Sequence, residues 1–235
     1  IPSLELIDGG TLDNDIYTIF VDRNNSLWIG TLFQGLCYYH PAMRKFQDGH
    51  TTSYSSFISN ETTRCFLEEE DGNILIGNRF GLFRFNPFNK KTEHIYANEI
   101  NDLCLSLYRD HKGRIWAGTF LDGFYCIDNN NIKHFIRSSV NLEQDPNQNV
   151  SRAIYEDEQG KFWVSITNGV GRFDPGNGKI LYMLGDKHPE LKKYSLIYSL
   201  HYYKPNTFIA VGDNGVFLYN THTDKVEKLP EQRFN

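Results

Sequence analysis

The chain has 235 residues, with 24 Lys plus Arg against 29 Asp plus Glu and a formal net charge of −5. At 40% hydrophobic and 14% aromatic residues, it has the composition of a folded chain with a large buried core, not of a disordered one. The acidic balance argues against a broad basic nucleic-acid face, and no run of 18 apolar residues is present for a membrane-spanning helix.

Residue 1 is Ile and no charged-then-apolar leader follows, so the chain reads as processed or cut from something longer. Leu4 to Ile7 has the pattern of a short strand ahead of everything else. From there the sequence repeats itself. Asp22-Arg23-Asn24-Asn25-Ser26-Leu27-Trp28-Ile29-Gly30-Thr31 returns as Glu69-Glu70-Asp71-Gly72-Asn73-Ile74-Leu75-Ile76-Gly77-Asn78. It returns again as Asp110-His111-Lys112-Gly113-Arg114-Ile115-Trp116-Ala117-Gly118-Thr119 and as Asp157-Glu158-Gln159-Gly160-Lys161-Phe162-Trp163-Val164-Ser165-Ile166. A worn fifth copy runs from Asn206 to Asp213. The aligned positions Gly30, Gly77, Gly118, Ser165 and Gly212 are separated by 47, 41, 47 and 47 residues, and a second glycine follows each one, at 35, 81, 123, 169 and 215.

Each unit predicts four short strands. The first covers Ile16 to Val21, then Thr63 to Glu68, Cys104 to Arg109, Ser151 to Glu156 and Tyr198 to Tyr203. The second is centred on Trp28, Leu75, Trp116, Trp163 and Ala210, and the third follows the second glycine. The fourth is Arg44 to Gln47, Thr92 to Tyr96, Ile132 to Ile136, Ile180 to Leu184 and Lys225 to Leu229. Alternating, aromatic-rich segments of this length suit sheet packing, and the Asp-Gly-Asn turn at 71–73 and its counterparts suit tight hairpins. His188 to Leu196, with Pro189 near its start, reads as a loop or a single turn.

Four antiparallel strands every 41 to 47 residues predict an all-β chain of β-propeller blades, at 14–47, 61–96, 102–136, 149–184 and 196–229. A sandwich would not require the same sequence at that period. The tryptophan is expected to wedge between neighbouring blades, and the glycine two residues later to leave room for an adjoining strand. In repeat five, Ala210 stands where the tryptophan would be, with Phe208 and the Tyr202-Tyr203 pair as substitute fillers. Thr18, Cys65, Ser106 and Ala153 are small and aligned on the first strand, which is therefore expected nearest the axis, with Leu200 as the exception. Leu4 to Ile7 is one strand too many for a closed five-blade ring. It reads either as the end of a preceding blade in a larger ring of six to eight, or as an extra edge strand.

The pattern Asp-x-x-Gly-x-Leu/Phe-Trp-Ile/Val-Gly-Thr, then Gly-Leu/Val-x-x-Phe/Tyr, resembles the propeller repeat of the periplasmic sensor regions of Bacteroides-type hybrid two-component histidine kinases. The resemblance extends from about Asn14 to Leu229 and is best in repeats one, three and four. It implies a periplasmic ectodomain of an inner-membrane kinase that senses glycan fragments. The implied partners are further propeller and β-sandwich domains of the same parent chain; a homodimer is a separate expectation, for a propeller that serves as a dimerisation module.

In a propeller, the loops joining strands two and three share a face with the blade-joining loops, and function lives on such loops. Arg64, Arg79 and Arg152 are candidates for a cationic cluster that would fork onto the carboxylate or sulfate of an acidic oligosaccharide. Phe33, Phe80 and Phe120 offer stacking faces, with Tyr17 and Asp122 beside them. The plainer reading is packing between blades and pairing with Glu61, Asp102 or Asp122.

An enzymatic reading as a five-blade glycosidase or lyase would place Glu61 and Asp102, on adjacent blades, as acid and base. Against it, such residues before a strand are ordinary turn formers. A third reading is a protein-interaction module using fourth-strand edges such as Lys90 to Tyr96. The eight histidines show no metal-ligand spacing, and no phosphate loop, calcium loop or nucleophile elbow is present, so no cofactor, metal or catalytic residue is assigned. Cys37, Cys65, Cys104 and Cys126 sit in apolar runs and read as buried thiols, with one disulfide as the alternative.

Overall fold

The computed structural model describes residues 15–33, 35–39, 47–48, 61–129, 131–135, 150–166, 169–194 and 196–230. Leu4 to Ile7 and the blade-joining segments 49–60 and 136–149 lie outside these residues. The chain divides into two compact units, residues 1–104 and 105–235.

The first unit holds two sheets, each of four antiparallel strands in sequence order. One is β1 (Ile16–Val21), β2 (Leu27–Thr31), β3 (Leu36–Tyr39) and β4 (Gln47–Asp48). The other is β5 (Thr63–Glu68), β6 (Ile74–Asn78), β7 (Gly81–Phe85) and β8 (Thr92–Ile95). The second unit holds three more sheets, apart from the first residue of β9. These are β9 (Cys104–Arg109) to β12 (Asn131–Phe135), β13 (Ala153–Glu156) to β16 (Lys179–Met183), and β17 (Ile197–Lys204) to β20 (Lys225–Lys228). The intervening strands are β10 (Ile115–Thr119), β11 (Phe124–Asp128), β14 (Phe162–Ile166), β15 (Gly169–Asp174), β18 (Thr207–Gly212) and β19 (Gly215–Asn220). The fold is an all-β, five-bladed β-propeller with four antiparallel strands per blade.

The repeat residues explain the blade. In the first unit Trp28 is buried, stacks on Tyr38 at 5.1 Å and meets Phe66 and Phe85 of the next sheet at 6.4 and 5.7 Å. In the second unit Trp116 meets Phe162 and Phe173, and Trp163 meets Phe208 and Tyr219. Each indole thus lies between two sheets, and burying so large a ring removes about 150–250 Å² from water. Phe208, expected as a substitute filler for the missing fifth tryptophan, packs instead against Trp163 between the fourth and fifth sheets, and Tyr202 and Tyr203 are exposed.

The loop aspartate anchors each indole. Trp28, Trp116 and Trp163 donate Nε1–H to Oδ2 of Asp22, Asp110 and Asp157, each at 2.9 Å. The other oxygen of each aspartate accepts two backbone N–H groups of its own turn, such as those of Lys112 and Arg114 on Asp110. Gly113 and Gly160 take positive φ at the tip of these turns, and Asn25 does the same in the first repeat. Neighbouring blades are stapled here as well. The backbone N–H of Arg23 donates to Glu68, and that of His111 to Glu156, both at 2.9 Å. The second repeat departs from the pattern: its tryptophan is Leu75, and Glu69 instead takes two hydrogen bonds from Arg84, at 2.6 and 3.0 Å.

The first of the two repeat glycines is a contact point. A Cβ at Gly77 would lie 2.4 Å from Cys65 Sγ and 2.9 Å from Cys104 Sγ, so the two cysteine side chains close over it. Cys37, Cys65, Cys104 and Cys126 are all buried free thiols, and the Cys65 and Cys104 sulfurs stand 3.9 Å apart.

Two expectations are corrected. Leu200 is not the counterpart of Thr18 and Cys65. Thr18 and Cys65 pair with Gly30 and Gly77, but it is Ile197 that pairs with Gly212, while Leu200 faces Ala210. The fifth blade turns through Pro205-Asn206 directly from Lys204 to Thr207 and carries two register shifts in β17, which slide the strand. The fourth strand expected over Ile180 to Leu184 ends at Met183, and a helical turn α1 (Leu184–Lys187) follows it, while His188 to Leu196, expected as a loop or a single turn, holds a 3₁₀ turn over Pro189–Lys193. This stretch buries Leu184, Leu191 and Tyr194 in the core around Trp163 and Phe217.

Candidate functional site

In the first unit, two bulges aim side chains out of the ladder. Ile16 pairs with Thr31 and Thr18 with Gly30, leaving Tyr17 between them. Thr63 pairs with Asn78 and Cys65 with Gly77, leaving Arg64 in the same place one blade on. A bulge re-aims a side chain that the ladder would otherwise pair. The two bulged residues meet: the Arg64 guanidinium carbon stands 3.4 Å from the centroid of the Tyr17 ring. The Arg64 Nε is buried and makes no hydrogen bond. Tyr17 is 48% exposed, so the pair reaches solvent.

Arg79 and Phe80 form the exposed turn between β6 and β7. Asn78 Oδ1 accepts the Phe80 N–H at 2.8 Å, and His94 Nε2 contacts the Phe80 carbonyl at 3.1 Å. The turn closes tightly because Gly81, at φ +113°, would place a Cβ only 2.0 Å from the Ile100 carbonyl oxygen. Asp102, weighed as a catalytic carboxylate, accepts the N–H of Leu103 through Oδ1 at 2.7 Å, which is the turn role of this residue type.

In the second unit the same end of the sheets carries Phe120, Asp122 and Arg152. Asp122 is held internally. Tyr125 donates its hydroxyl to Asp122 Oδ2, and His134 Nε2 lies 3.2 Å from Oδ1 while its ring stacks on Tyr125. Arg152 precedes β13 and lies 5.6 Å from the ring of Tyr198, itself the bulged residue of β17. Phe120 is half-buried. The arginine-on-tyrosine contact thus recurs in both units, with the order of the partners reversed.

At the opposite end of the second unit's sheets, where the Asp-x-x-Gly turns lie, is a cavity of about 670 Å³. Its walls include Tyr108, Tyr155 and Tyr202, with Arg109, Glu156 and Glu158 among the polar groups. These tyrosines stand at the same offset in repeats three, four and five, 47 residues apart. That periodicity was the signal available in the sequence, but the aligned position is Phe20 and Leu67 in the first two repeats and reads there as packing. Glu156, with its side chain 3% exposed, faces His111 Nδ1. Tyr108 lends its hydroxyl oxygen to the Glu156 N–H at 3.2 Å. Burial pushes the Tyr155 phenol up to about 12, reinforced by Tyr108, Glu158 and Asp157. Among the described residues no group of His, Cys, Asp and Glu is arranged to hold a metal ion.

Residues 10–33 and 144–168 match the family model described as "Two component regulator propeller". The chain therefore carries that repeat, as its pattern implied. No curated protein matches. One similar solved structure is the extracellular domain assigned to a hybrid two component system of B. thetaiotaomicron, at 17% identity and a TM-score of 0.72, covering 94% of this chain and 29% of that one. Another is a catalytically inactive variant of virginiamycin B lyase from Staphylococcus aureus with quinupristin, at 11% identity and a TM-score of 0.67, covering 95% and 75%. A third is PorZ of the type-IX secretion system of Porphyromonas gingivalis, at 14% and 0.61, covering 92% and 33%. At these identities the likeness is one of fold. The chain spans under a third of the B. thetaiotaomicron domain's length.

Proposed function

We propose that the chain is the extracytoplasmic, ligand-sensing propeller of a signal-transducing histidine kinase, and that it recognises a fragment of an acidic glycan. The observation that carries this reading is the match of two of its repeats to the two component regulator propeller family. The extracellular placement of the B. thetaiotaomicron relative agrees with a location outside the cytoplasm. The ligand would be held at the end of the sheets bearing Tyr17, Arg64, Arg79 and Phe80. There a guanidinium fork offers paired donors to a carboxylate or sulfate, and exposed rings offer faces to sugar rings. Binding would favour one of two arrangements of the parent chain's domains, or of a homodimer, and so pass the signal on.

The test is calorimetric titration of the chain with a panel of sulfated and uronic-acid oligosaccharides, repeated on Arg64→Ala and Arg79→Ala. Binding by the wild type that weakens about tenfold or more in Arg64→Ala supports the reading, because a charge-assisted pair contributes on that scale. Binding that neither variant changes removes the site, and no binding by any acidic oligosaccharide removes the ligand class.

A further inference from the structure

The cavity at the aspartate-turn end of the second unit is unexplained by the reading above. Its three tyrosines come from three successive repeats. Tyr202 is 55% exposed at the rim, Tyr108 is half-buried, and Tyr155 is buried against Phe208 at 5.6 Å. Elsewhere the protein covers aromatic faces with its own cations: Arg64 on Tyr17, Lys187 on Tyr182, Lys204 on Tyr203. Among the described residues no lysine or arginine lies over Tyr108, Tyr155 or Tyr202.

The charge of the lining points the same way. Four carboxylates, Asp110, Glu156, Asp157 and Glu158, line the cavity, against one arginine, Arg109. Asp110 is neutralised by Arg114 at 2.7 Å, and Glu156 faces His111. Asp157 and Glu158 have no such partner among the described residues. Asp157 accepts the N–H groups of Gln159, Lys161 and the Trp163 indole, and Glu158 accepts the Asn206 N–H at 2.6 Å. Arg109 reaches the Gly113 carbonyl at 3.4 Å. An exposed aromatic ring such as Tyr202, backed by further rings in a negative field, is the environment that attracts an alkylammonium group through the ring quadrupole. The volume falls within the range of small-molecule sites.

We infer that this cavity binds a small organic cation of the ammonium type, its charged head against Tyr202 and Tyr155 and facing Glu158. The site is separate from the glycan site proposed above and uses none of its residues, so either stands if the other fails.

The test uses the intact chain and two matched probe pairs: choline with its neutral carbon isostere 3,3-dimethylbutanol, and glucosamine with N-acetylglucosamine. Titrations by calorimetry or tyrosine fluorescence should show binding of choline or glucosamine, and none of the neutral partners. Tyr202→Ala should weaken binding about tenfold, since a partly desolvated ring–cation contact is of that size. Tyr202→Phe, which keeps the ring face, should restore most of it. Glu158→Gln should weaken it severalfold, and Arg64→Ala should leave it unchanged. Tyr202 is exposed, so its variants are expected to fold, and an unchanged melting curve confirms that they do. Absence of ammonium binding, equal binding of the neutral isosteres, or wild-type affinity in Tyr202→Ala would each overturn the inference.

Discussion

Ser165 donates its hydroxyl to the carbonyl of Ile197 at 2.5 Å, at the one repeat position where the other four copies carry glycine. The contact joins β14 to the first strand of the next blade. It shows what the position requires: whatever stands there lies in the crowd where one blade's second strand meets the following blade's first. Gly118 meets the same crowd, since a Cβ there would lie 2.3 Å from the Ser151 carbonyl oxygen and 2.5 Å from Ser106 Oγ.

Gly118→Ala should therefore destabilise the protein by about 2–3 kcal/mol, because a backbone oxygen cannot swing aside as a side chain does. Ser165→Ala keeps its Cβ and loses only a hydrogen bond, so it should cost about 1 kcal/mol. Urea unfolding of the two variants checks the ranking, and equal costs would refute it.

The aspartate beneath each tryptophan should be worth more than a surface carboxylate. Replacing Asp110 with Asn puts an N–H₂ group among the donors of Trp116, Lys112 and Arg114, and an expected loss of about 2–4 kcal/mol follows from the broken buried network. Burial alone would raise the Asp110 carboxyl, but the hydrogen bonds from Trp116 and Arg114 outweigh it and hold the group below its ordinary 3.8. A depressed folded-state value stabilises the fold above 3.8 and ceases to do so as pH falls through the folded value. The gap between wild type and Asp110→Asn in thermal melts should accordingly narrow as the solution is acidified below pH 3.8.

Alkaline pH acts through the buried phenols. Tyr155 is pushed up to about 12 by burial and neighbouring negative groups, and Tyr219 is raised by burial and by its hydrogen bond to Asp224. The unfolded chain releases these protons near pH 10 while the folded chain still holds them, so stability should fall as pH rises from 10 towards 12. Melting temperatures across that window, with Tyr155→Phe flattening the slope, would test it.

Asp224 presents the acid counterpart at the surface. It accepts the Tyr219 hydroxyl at 2.6 Å and His188 Nε2 at 3.1 Å, which with Lys187 lower its carboxyl to about 2. Its support of the helical turn should persist above the ordinary 3.8 and disappear as pH drops towards 2. A carboxyl carbon titration by NMR should find it among the lowest aspartates, and Tyr219→Phe should move it back up.

The thiols supply a simpler check. All four cysteines are buried, and burial, then the hydrogen bond and charge of Cys104, push the Cys65 thiol up. A thiol that is buried and protonated reacts slowly. A thiol reagent should titrate none of them at neutral pH in the native state and all four on unfolding.

The fold was legible in the sequence because a blade is a local object. Four strands, their alternation and their turns fit within one repeat, so the recurrence from Trp28 through Leu75, Trp116 and Trp163 to Ala210 was enough to predict five sheets. The helical turn at Leu184–Lys187 was not legible as such, since a short segment of mixed polarity acquires its structure from the core it caps.

The chain alone thus determined the blade, its wedge residue and the glycine beside it, all of which follow from short-range pattern. Only the tertiary structure decided that Tyr17 and Arg64 meet, that Ile197 rather than Leu200 stands opposite a glycine, and that Tyr108, Tyr155 and Tyr202 share one cavity. Each of those outcomes depends on a bulge or a turn length, which shifts pairing by one residue, or on segments some 47 residues apart being brought edge to edge. Such shifts leave the repeat pattern intact while changing which side chains touch, and so they carry no signature in the pattern itself.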